Sequence, residues 1–321
     1  MYRKISAIII PTLFAIGIIA WMVFNVWGDL LEALHHIDPG YLAVAIFICL
    51  VAWLLRGWRY HIILGNIGYR VGIMVSTACI FVSQTVNIIV PARLGDFVRV
   101  FILKHEYGST YSEGVSSIVV ERVFDIFTVA LLGAVSVLFV LNAPSWFYTI
   151  IVLPLAAGIL FFVFLLLIGK FSTQNRYIRI ILTMLHEIRR ASLSVKSILL
   201  LGGSSIIIWL LDVLVCLAVA LMFEQQIPFA VLVLAIVIGN LVKAVPLTPG
   251  GIGTYEFALW STFLLAGVSP TIATLIAIID HLIKNLVTLA GGIVSIYYFG
   301  DWVIPSIRDA LNSKLGGGNA P

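Results

Sequence analysis

Long apolar runs separated by short polar breaks fill most of the chain. A bilayer core about 30 Å thick takes about 20 apolar residues per spanning helix. Eight runs approach or exceed this length, at residues 5–27, 41–62, 72–90, 114–141, 146–168, 198–222, 229–247 and 270–298. Two further runs, 94–103 and 254–266, are too short to span. The pattern therefore predicts an all-α polytopic membrane protein.

Each of the two short runs follows a break that is rich in proline and glycine. The first break is Pro91-Ala-Arg-Leu-Gly95, and the second is Pro246-Leu-Thr-Pro249-Gly-Gly-Ile-Gly253. Proline removes a backbone donor and glycine tolerates open conformations, so both segments are predicted to interrupt a helix. Interrupted helices persist at membrane depth only where they are buried in protein or line a wet cavity.

Loop charges orient the runs, because basic residues favour the cytoplasmic side. Arg3 and Lys4 place the N-terminus inside, and the acidic loop after the first run lies outside. The basic loop 170–196 must be inside, which requires residues 72–103 to form a re-entrant hairpin open to the cytoplasm. By the same count, residues 229–266 form a hairpin open to the outside. The prediction is six full spans plus two opposed re-entrant hairpins, with a simple eight-span chain as the alternative.

An internal repeat supports the two hairpins. Gly95 and Gly253 are 158 residues apart, and Arg122 and His281 are 159 apart. The same offset aligns the spans of the two halves in opposite orientations, which is typical of secondary transporters with discontinuous helices. The predicted organisation is a single integral membrane domain made of a first inverted repeat (1–141), a second inverted repeat (145–298) and a cytoplasmic tail (299–321).

Composition excludes an ordinary soluble protein. The chain is 61% hydrophobic and 11% charged, whereas soluble domains are about 45–50% apolar and about 25% charged. Spans and short loops take up nearly all of the 321 residues, so no soluble catalytic domain is expected. The net charge of +4 fits cytoplasmic anchoring, and no nucleic acid is expected as a partner.

Ionisable side chains fall within or beside the apolar runs, where each costs about 2.5–3.5 kcal/mol at a helix centre. They must therefore pair, face water, or both. Glu121 and Asp125 share one helix face with Arg122 beside it, and Asp280 and Lys284 share another. A static ion-pair network that holds the two halves together is the competing interpretation.

The two predicted hairpins would together form an anion-binding site. In each, the returning half-helix begins near the midplane, so its free N–H groups and positive dipole end point inward. With Arg93, Arg99 and Lys243 nearby, two such ends form a cavity suited to phosphate. Asp96 and Glu256 are equally well explained as first-turn capping carboxylates. The second break is interpreted as part of the substrate path, with a tight backbone crossing as the alternative. The candidate substrate-binding residues are Arg93, Asp96, Arg99, Glu121, Arg122, Asp125, Lys243, Pro249, Gly250, Gly251, Gly253, Glu256, Asp280, His281 and Lys284.

Other polar residues are predicted to have structural roles. Asp212 is interpreted as a hydrogen-bonding group among apolar neighbours, and Arg56, Arg59 and Trp58 as an interfacial anchor. The chain has no P-loop, no Gly-x-Ser-x-Gly elbow and no His-Glu-x-x-His helix. We therefore expect no metal and no cofactor, and we expect that the chain is not an enzyme.

Three motifs in order carry a family resemblance: Asn87-Ile-Ile-Val-Pro91-Ala-Arg-Leu-Gly95-Asp96-Phe-Val-Arg99, then Glu121-Arg122-x-x-Asp125, then Pro246-Leu-Thr-Pro249-Gly-Gly-Ile-Gly253-x-x-Glu256. They resemble the lysylphosphatidylglycerol synthase transmembrane family, the flippase-like module of multiple-peptide-resistance proteins, also seen in archaeal proteins tied to dolichol-phosphate sugars. The resemblance covers nearly the whole chain and implies translocation of a lipid with a polar head. The family usually has a tyrosine-arginine pair where this chain has Asp280-His281. We expect no fused soluble aminoacyl-transferase domain and therefore no transfer of lysine to lipid.

The predicted function is flippase-like translocation of a phospholipid or a polyprenyl-phosphate-linked sugar, with the head group held in the cavity between the hairpins. Three alternatives stay open: an accessory partner of a lipid-dependent glycosyltransferase, an intramembrane lipid-modifying transferase, and an ion-coupled solute transporter. The expected partners are the anionic lipid and, in the first alternative, a glycosyltransferase, and a homodimer is left open. The expected location is the cell (plasma) membrane, with both termini cytoplasmic.

Overall fold

Helices account for all the regular structure in the described part of the chain. The computed structural model describes residues 2–28, 38–90, 93–140, 144–171, 175–245, 247–300, 302 and 304, with side chains from residue 10 onward except those of residues 170 and 176. Over these residues there are eleven α-helices and no β-strand, which confirms an all-α protein. The helices are α1 (Tyr2–Phe24), α2 (Pro39–Ile67), α3 (Ile73–Ile89), α4 (Gly95–Tyr107), α5 (Tyr111–Ser136), α6 (Ser145–Leu167), α7 (Arg176–Ser192), α8 (Val195–Met222), α9 (Phe229–Ala244), α10 (Thr254–Leu265) and α11 (Pro270–Phe299).

Five helices are long and apolar enough to cross a membrane, namely α2, α5, α6, α8 and α11. They coincide with five of the six full spans that the sequence predicts, and they identify a multi-pass membrane protein. In α1 the described apolar part, Ile10–Phe24, is shorter. Helices α3 and α9 have 17 and 16 residues, fewer than the about 20 that a straight crossing requires.

Both proline-glycine breaks interrupt a helix. Helix α3 ends at Ile89 and α4 begins at Gly95, where an added Cβ would lie 2.1 Å from the Ser83 carbonyl oxygen. Between α9 and α10 the chain makes a 3-10 turn whose glycines, Gly250 and Gly251, have φ of 61° and 79°. Because L-residues rarely adopt such angles, glycine permits these turns. Pro91 and Pro246 lie outside the described residues.

Burial separates helices at the centre of the bundle from helices on its outside. Helix α9 buries every residue from 231 to 239 and packs on α5 and α10. Helix α3, which packs on α2, α4 and α11, is also largely buried. By contrast, α6 buries only Phe147, Ile151 and Leu165. An apolar helix with so few protein neighbours presents its surface to lipid.

The prediction that residues 170–196 form a basic loop is wrong, because residues 176–192 form helix α7. Its Glu187 carboxylate accepts hydrogen bonds from Ser112 and Ser116 of α5, at 3.1 and 2.8 Å. The apolar spacing of this segment indicates an amphipathic helix, and the density of basic residues hid it. Some charges on which the predicted topology rests lie outside the described residues: the side chains of Arg3 and Lys4, residues 29–37 of the acidic loop, and the tail beyond residue 304.

Candidate functional site

A polar cavity of about 160 Å³ lies where the two broken helix pairs meet. Its wall combines residues of α2, α3, α5, α8, α9, α10 and α11 with residues of the two breaks, before α4 and before α10. A buried water needs roughly 10–15 Å³ on this measure, so the cavity has room for on the order of ten waters. Besides the thiol of Cys49, the ionisable side chains that line it are Arg56, Arg93, Glu121, Arg122, Asp125, Asp212, Lys243, Tyr255, His281 and Lys284.

Asp96, in the first turn of α4, is the centre of one polar cluster. Its carboxylate accepts hydrogen bonds from Ser83 and Asn87 of α3, at 3.1 and 3.0 Å. Arg122 of α5 donates to both carboxylate oxygens, at 2.9 and 3.0 Å. Asn87 also accepts from the Gly95 amide at 2.8 Å. The cluster therefore ties α3, α4 and α5 together, and Asp96 has no remaining role as a free anion in the cavity.

Arg99, one turn further along α4, is completely buried and ion-paired. Its guanidinium donates to the Glu121 carboxylate at 2.5 Å and lies 3.5 Å from Asp96. The same guanidinium stands 4.9 Å from the ring centroid of Tyr60, a cation–π distance. Buried charges of this kind are retained where they are paired, so Arg99 is a structural cation and does not line the cavity.

The predicted interfacial anchor at Arg56 and Arg59 is wrong. Arg59 is 1% exposed and donates to both oxygens of Asp125, at 2.6 and 3.0 Å. Arg56 pairs with Asp212 at 2.7 Å. On α2, both arginines face carboxylates of α5 and α8, so pairing across the bundle replaces the head-group contact that aromatic and basic neighbours usually make. Asp212 is thus an ion-pair partner of Arg56 rather than a lone hydrogen-bonding group.

A linear chain of polar groups crosses the second half of the site. Glu256, in the first turn of α10, accepts the Gly253 amide at 2.7 Å. Its other oxygen lies 2.7 Å from Nδ1 of His281. The opposite ring nitrogen, Nε2, lies 3.0 Å from Nζ of Lys243. Gly251 makes room for this lysine, because an added Cβ would lie 2.6 Å from its Cγ.

Asp280 and Lys284 pair on α11, as their spacing predicts. The two charged groups are 2.7 Å apart, and Tyr255 donates to the Asp280 carboxylate at 2.8 Å. Lys284 also donates to the backbone oxygen of Asp212 at 3.2 Å. Asp280 itself is fully buried behind the lysine. The pair therefore joins α8, α10 and α11, and only Lys284 reaches the cavity wall.

Two cations of the cavity wall make no ion pair with a carboxylate of the described residues. Lys243 contacts His281, and Arg93 donates to the Lys243 carbonyl oxygen at 3.2 Å. Arg93 also has φ of 54°, a left-handed conformation that non-glycine residues seldom adopt. Strained backbone of this kind is concentrated at binding and active sites. The uncompensated positive charge of the cavity is therefore located at Arg93 and Lys243.

The helix N-termini contribute less positive charge than the sequence predicts. The amide of Gly95 at the start of α4 donates to Asn87, and that of Gly253 before α10 donates to Glu256. The competing interpretation of Glu256 as a first-turn capping carboxylate is thus correct in geometry. Because these end groups already have acceptors, side-chain cations are the main attraction for an anion.

The structure brings the candidate residues together around the cavity, but some line its wall and others lie behind it. Those on the cavity wall are Arg93, Glu121, Arg122, Asp125, Lys243, Gly250, Gly251, His281 and Lys284. Those outside the lining are Asp96, Arg99, Pro249, Gly253, Glu256 and Asp280. Their role in substrate binding stays a prediction. The candidate set omits Arg56 and Asp212, which line the cavity, and the amides of Asn240 and Asn285. In the described part of the chain, no group of three or more His, Cys, Asp or Glu side chains is placed to hold a metal ion.

Comparison with known proteins shows the family to which the chain belongs. Residues 8–292 match the family described as the lysylphosphatidylglycerol synthase TM region. The chain belongs to this family. The resemblance seen in the three sequence motifs is thereby confirmed. No solved structure matches the chain.

Relatives of the chain are archaeal. Glycosyltransferase AglD of Haloferax volcanii is 32% identical over 84% of this chain, which spans 50% of the length of that protein. A UPF0104 membrane protein of Methanothermobacter thermautotrophicus is 22% identical over 88% of this chain and 93% of its own length. UPF0104 membrane protein MJ1078 of Methanocaldococcus jannaschii is 28% identical over 66% of this chain and 93% of its own length.

These names correct one prediction. The expectation that the chain is not an enzyme is contradicted, because a relative at 32% identity is named a glycosyltransferase and the family is named for a synthase. The expectation rested on a search for soluble-enzyme motifs. Such a search has no bearing on chemistry performed by polar groups inside a membrane bundle.

Proposed function

We propose that this membrane protein binds the phosphate-bearing head group of a membrane lipid in the cavity and moves it across the bilayer. The observation that carries the proposal is the pair Arg93 and Lys243, two cations on the cavity wall without a carboxylate partner in the described residues. An uncompensated charge in apolar surroundings is costly. A phosphate offers both cations charge-assisted hydrogen bonds, which are the stronger kind.

The size of the cavity limits what enters it. A volume of about 160 Å³ accommodates a phosphate with some water but not a pair of acyl chains. The lipid tails therefore stay in the bilayer while the head group occupies the cavity. The side-chain amides of Asn240 and Asn285 on the wall supply neutral donors and acceptors for the groups attached to the phosphate. The substrates that fit this description are phospholipids and polyprenyl-phosphate-linked sugars.

The proposed mechanism uses the broken helices as gates. Helices α3 and α4 form one re-entrant hairpin and α9 and α10 the other, with opposite orientations in two inverted repeats, 1–141 and 145–298. The proposed topology also has six full spans, with both termini on the cytoplasmic side of the cell membrane. The shortness of α3 and α9, at 17 and 16 residues, supports it. Movement of one repeat against the other opens the site to each leaflet in turn.

A second candidate function is participation in sugar transfer to or from a lipid phosphate. The similarity to glycosyltransferase AglD, of which this chain spans 50%, favours it. In this case the same cavity holds the lipid phosphate while transfer occurs, either within this protein or with a glycosyltransferase partner. Both candidates require the head group to bind at Arg93 and Lys243, and they differ in what happens next.

The test is a lipid-translocation assay in proteoliposomes with fluorescent phosphatidylglycerol, read by chemical quenching of the outer leaflet. We expect the wild-type protein to exceed protein-free liposomes and Lys243→Gln to lose most of that gain. Lys196→Gln, at an exposed lysine near the start of α8, is the matched control and should keep the wild-type rate. Equal rates for wild type and Lys243→Gln would exclude this cavity as the path. Tight lipid binding without movement would favour the second candidate.

A further inference from the structure

The imidazole of His281 lies between the carboxylate of Glu256 and the ammonium group of Lys243, on the wall of the cavity. We propose that His281 is the proton-binding site of the transporter, and that each lipid phosphate enters the cavity together with one proton. This inference rests on the proposed function, because it concerns what accompanies the phosphate. It names the proton as the coupled ion.

The geometry fixes the orientation of the imidazole ring. His281 is 1% exposed, and its Nδ1 lies 2.7 Å from the Glu256 carboxylate. Glu256 is itself held by the Gly253 amide at 2.7 Å. A carboxylate held in this way both orients a histidine and stabilises the imidazolium that forms when the ring takes a second proton, as in enzymes that use histidine as a base. The ring is therefore positioned to gain and lose a proton at Nε2.

The contact with Lys243 defines the protonation state without ligand. A lysine ammonium group is a donor only, so its contact with Nε2 at 3.0 Å makes that nitrogen the acceptor. The ring proton then resides on Nδ1, where it is donated to Glu256. His281 is neutral in this arrangement, and the Lys243 ammonium occupies the position where a second proton would bind.

Phosphate binding changes this arrangement. The ammonium of Lys243 turns from Nε2 toward a phosphate oxygen, because a charged acceptor binds it more strongly than a neutral ring nitrogen. Nε2 then takes a proton from bulk water through the waters of the cavity: an N–H bond forms at the ring as an O–H bond of hydronium breaks. The imidazolium pairs with Glu256. One negative and one positive charge have entered, so the net charge of the cavity is unchanged.

The contacts of the neighbouring groups support the imidazole of His281 as the proposed proton acceptor. Asp280 is held by Lys284 and Tyr255, at 2.7 and 2.8 Å, so it is not the partner of the imidazolium. The tyrosine ring itself lies 4.4 Å from the imidazole ring. Of the protein side chains, histidine is the one whose unperturbed pKa lies between about pH 5 and 8. The ionisable groups next to His281 are Glu256 and Tyr255 on α10, Lys243 on α9 and Asp280 on α11. Arg93 and Lys284 line the same cavity.

The test is the pH dependence of lipid binding to the purified full chain in detergent, from about pH 5.5 to about pH 8.5. The probe is phosphatidylglycerol, a phosphodiester whose single charge does not change over this range. Uptake of one proton predicts that affinity rises as pH falls, by up to about tenfold per pH unit. His281→Gln should remove this slope. His105→Gln, at an exposed histidine near the end of α4, should retain it.

The outcomes separate the inference from the function it rests on. A wild-type protein that binds the lipid equally at all pH values overturns the proton site and leaves the phosphate site standing. A protein that binds it at no pH overturns the proposed function. A purely structural histidine would weaken binding in His281→Gln by the same factor at every pH, which also overturns the inference. If that variant does not fold, Glu256→Gln replaces it, since it removes the carboxylate that stabilises the imidazolium and should reduce the slope.

Discussion

Substitution of Arg93 distinguishes a role in lipid binding from a role in stabilising the fold. It lies on the cavity wall with φ of 54° and donates to the Lys243 carbonyl oxygen at 3.2 Å. Within the described residues it makes no ion pair with a carboxylate. A residue placed this way costs the fold something, in backbone strain and in desolvated charge. A ligand that binds to Arg93 would offset this cost.

Arg93→Gln is therefore expected to weaken lipid binding without lowering the stability of the protein. Loss of charge-assisted hydrogen bonds to the phosphate removes roughly 1.5–3 kcal/mol of binding free energy. This corresponds to a lipid affinity weaker by about one to two powers of ten. The melting temperature should stay level or rise, because the substitution removes a charge that no carboxylate of the described residues neutralises and leaves no carboxylate behind. Arg93→Lys keeps the charge but not the planar fork, so its affinity should be intermediate.

The matched control is Arg99→Gln, at the buried arginine of α4. Arg99 pairs with Glu121 at 2.5 Å, so its removal leaves a buried carboxylate without its partner. A loss of roughly 3–5 kcal/mol of stability is expected. Equilibrium binding of phosphatidylglycerol and thermal unfolding of each purified variant supply the two readouts. If Arg93→Gln lowers the melting temperature as Arg99→Gln does, and binds lipid like the wild type, Arg93 is a structural residue and the reasoning fails.

Three further predictions address the fold and its orientation. Arg59→Gln should lower the free energy of unfolding by roughly 3–5 kcal/mol, because Asp125 loses its bidentate partner; an unchanged denaturation midpoint would contradict the buried pair. Gly95→Ala should be strongly destabilising because its Cβ would lie 2.1 Å from a backbone oxygen, whereas an alanine at Gly202 meets nothing within 4 Å; equal melting temperatures would refute the close packing of α3 on α4. A cysteine introduced at the exposed position 106 should react with an impermeant maleimide from the cytoplasmic side, and one introduced at Ala266 from the external side. The native cysteines are buried, so they should contribute little labelling. Labelling from the opposite sides would refute the hairpin topology.

Sequence reasoning located the apolar helices and the two breaks because both depend on local chemistry. A run of about 20 apolar residues is explained by the thickness of the bilayer. The glycines around the second break mark positive φ angles that are confirmed at Gly250, Gly251 and Gly253. Helix α7 was missed because charge density was taken to indicate a loop, although the apolar spacing in 176–192 is helical.

The wrong predictions concern which charges belong together. Pairing depends on how helices distant in sequence rotate toward each other, and local spacing carries no such information. Arg56 and Arg59 were assigned to the head-group region because a tryptophan separates them, yet they pair with Asp212 and Asp125. A count of charges contained a signal: the candidate set has five basic and five acidic residues, and adding Asp212, Arg56 and Arg59 makes seven basic groups against six acidic ones. An excess of one cation is what an anion site requires.

The central claim is that a lipid phosphate sits against Lys243 inside the bundle. Solid-state NMR on protein with nitrogen-labelled lysine, in phosphatidylglycerol bilayers, measures this contact directly through dipolar coupling between lipid phosphorus and lysine Nζ. We predict one strongly coupled lysine signal that persists in Lys196→Gln and is absent from Lys243→Gln. If the wild-type and Lys243→Gln proteins give the same phosphorus-coupled lysine signals, no phosphate contacts Lys243 and the account is contradicted.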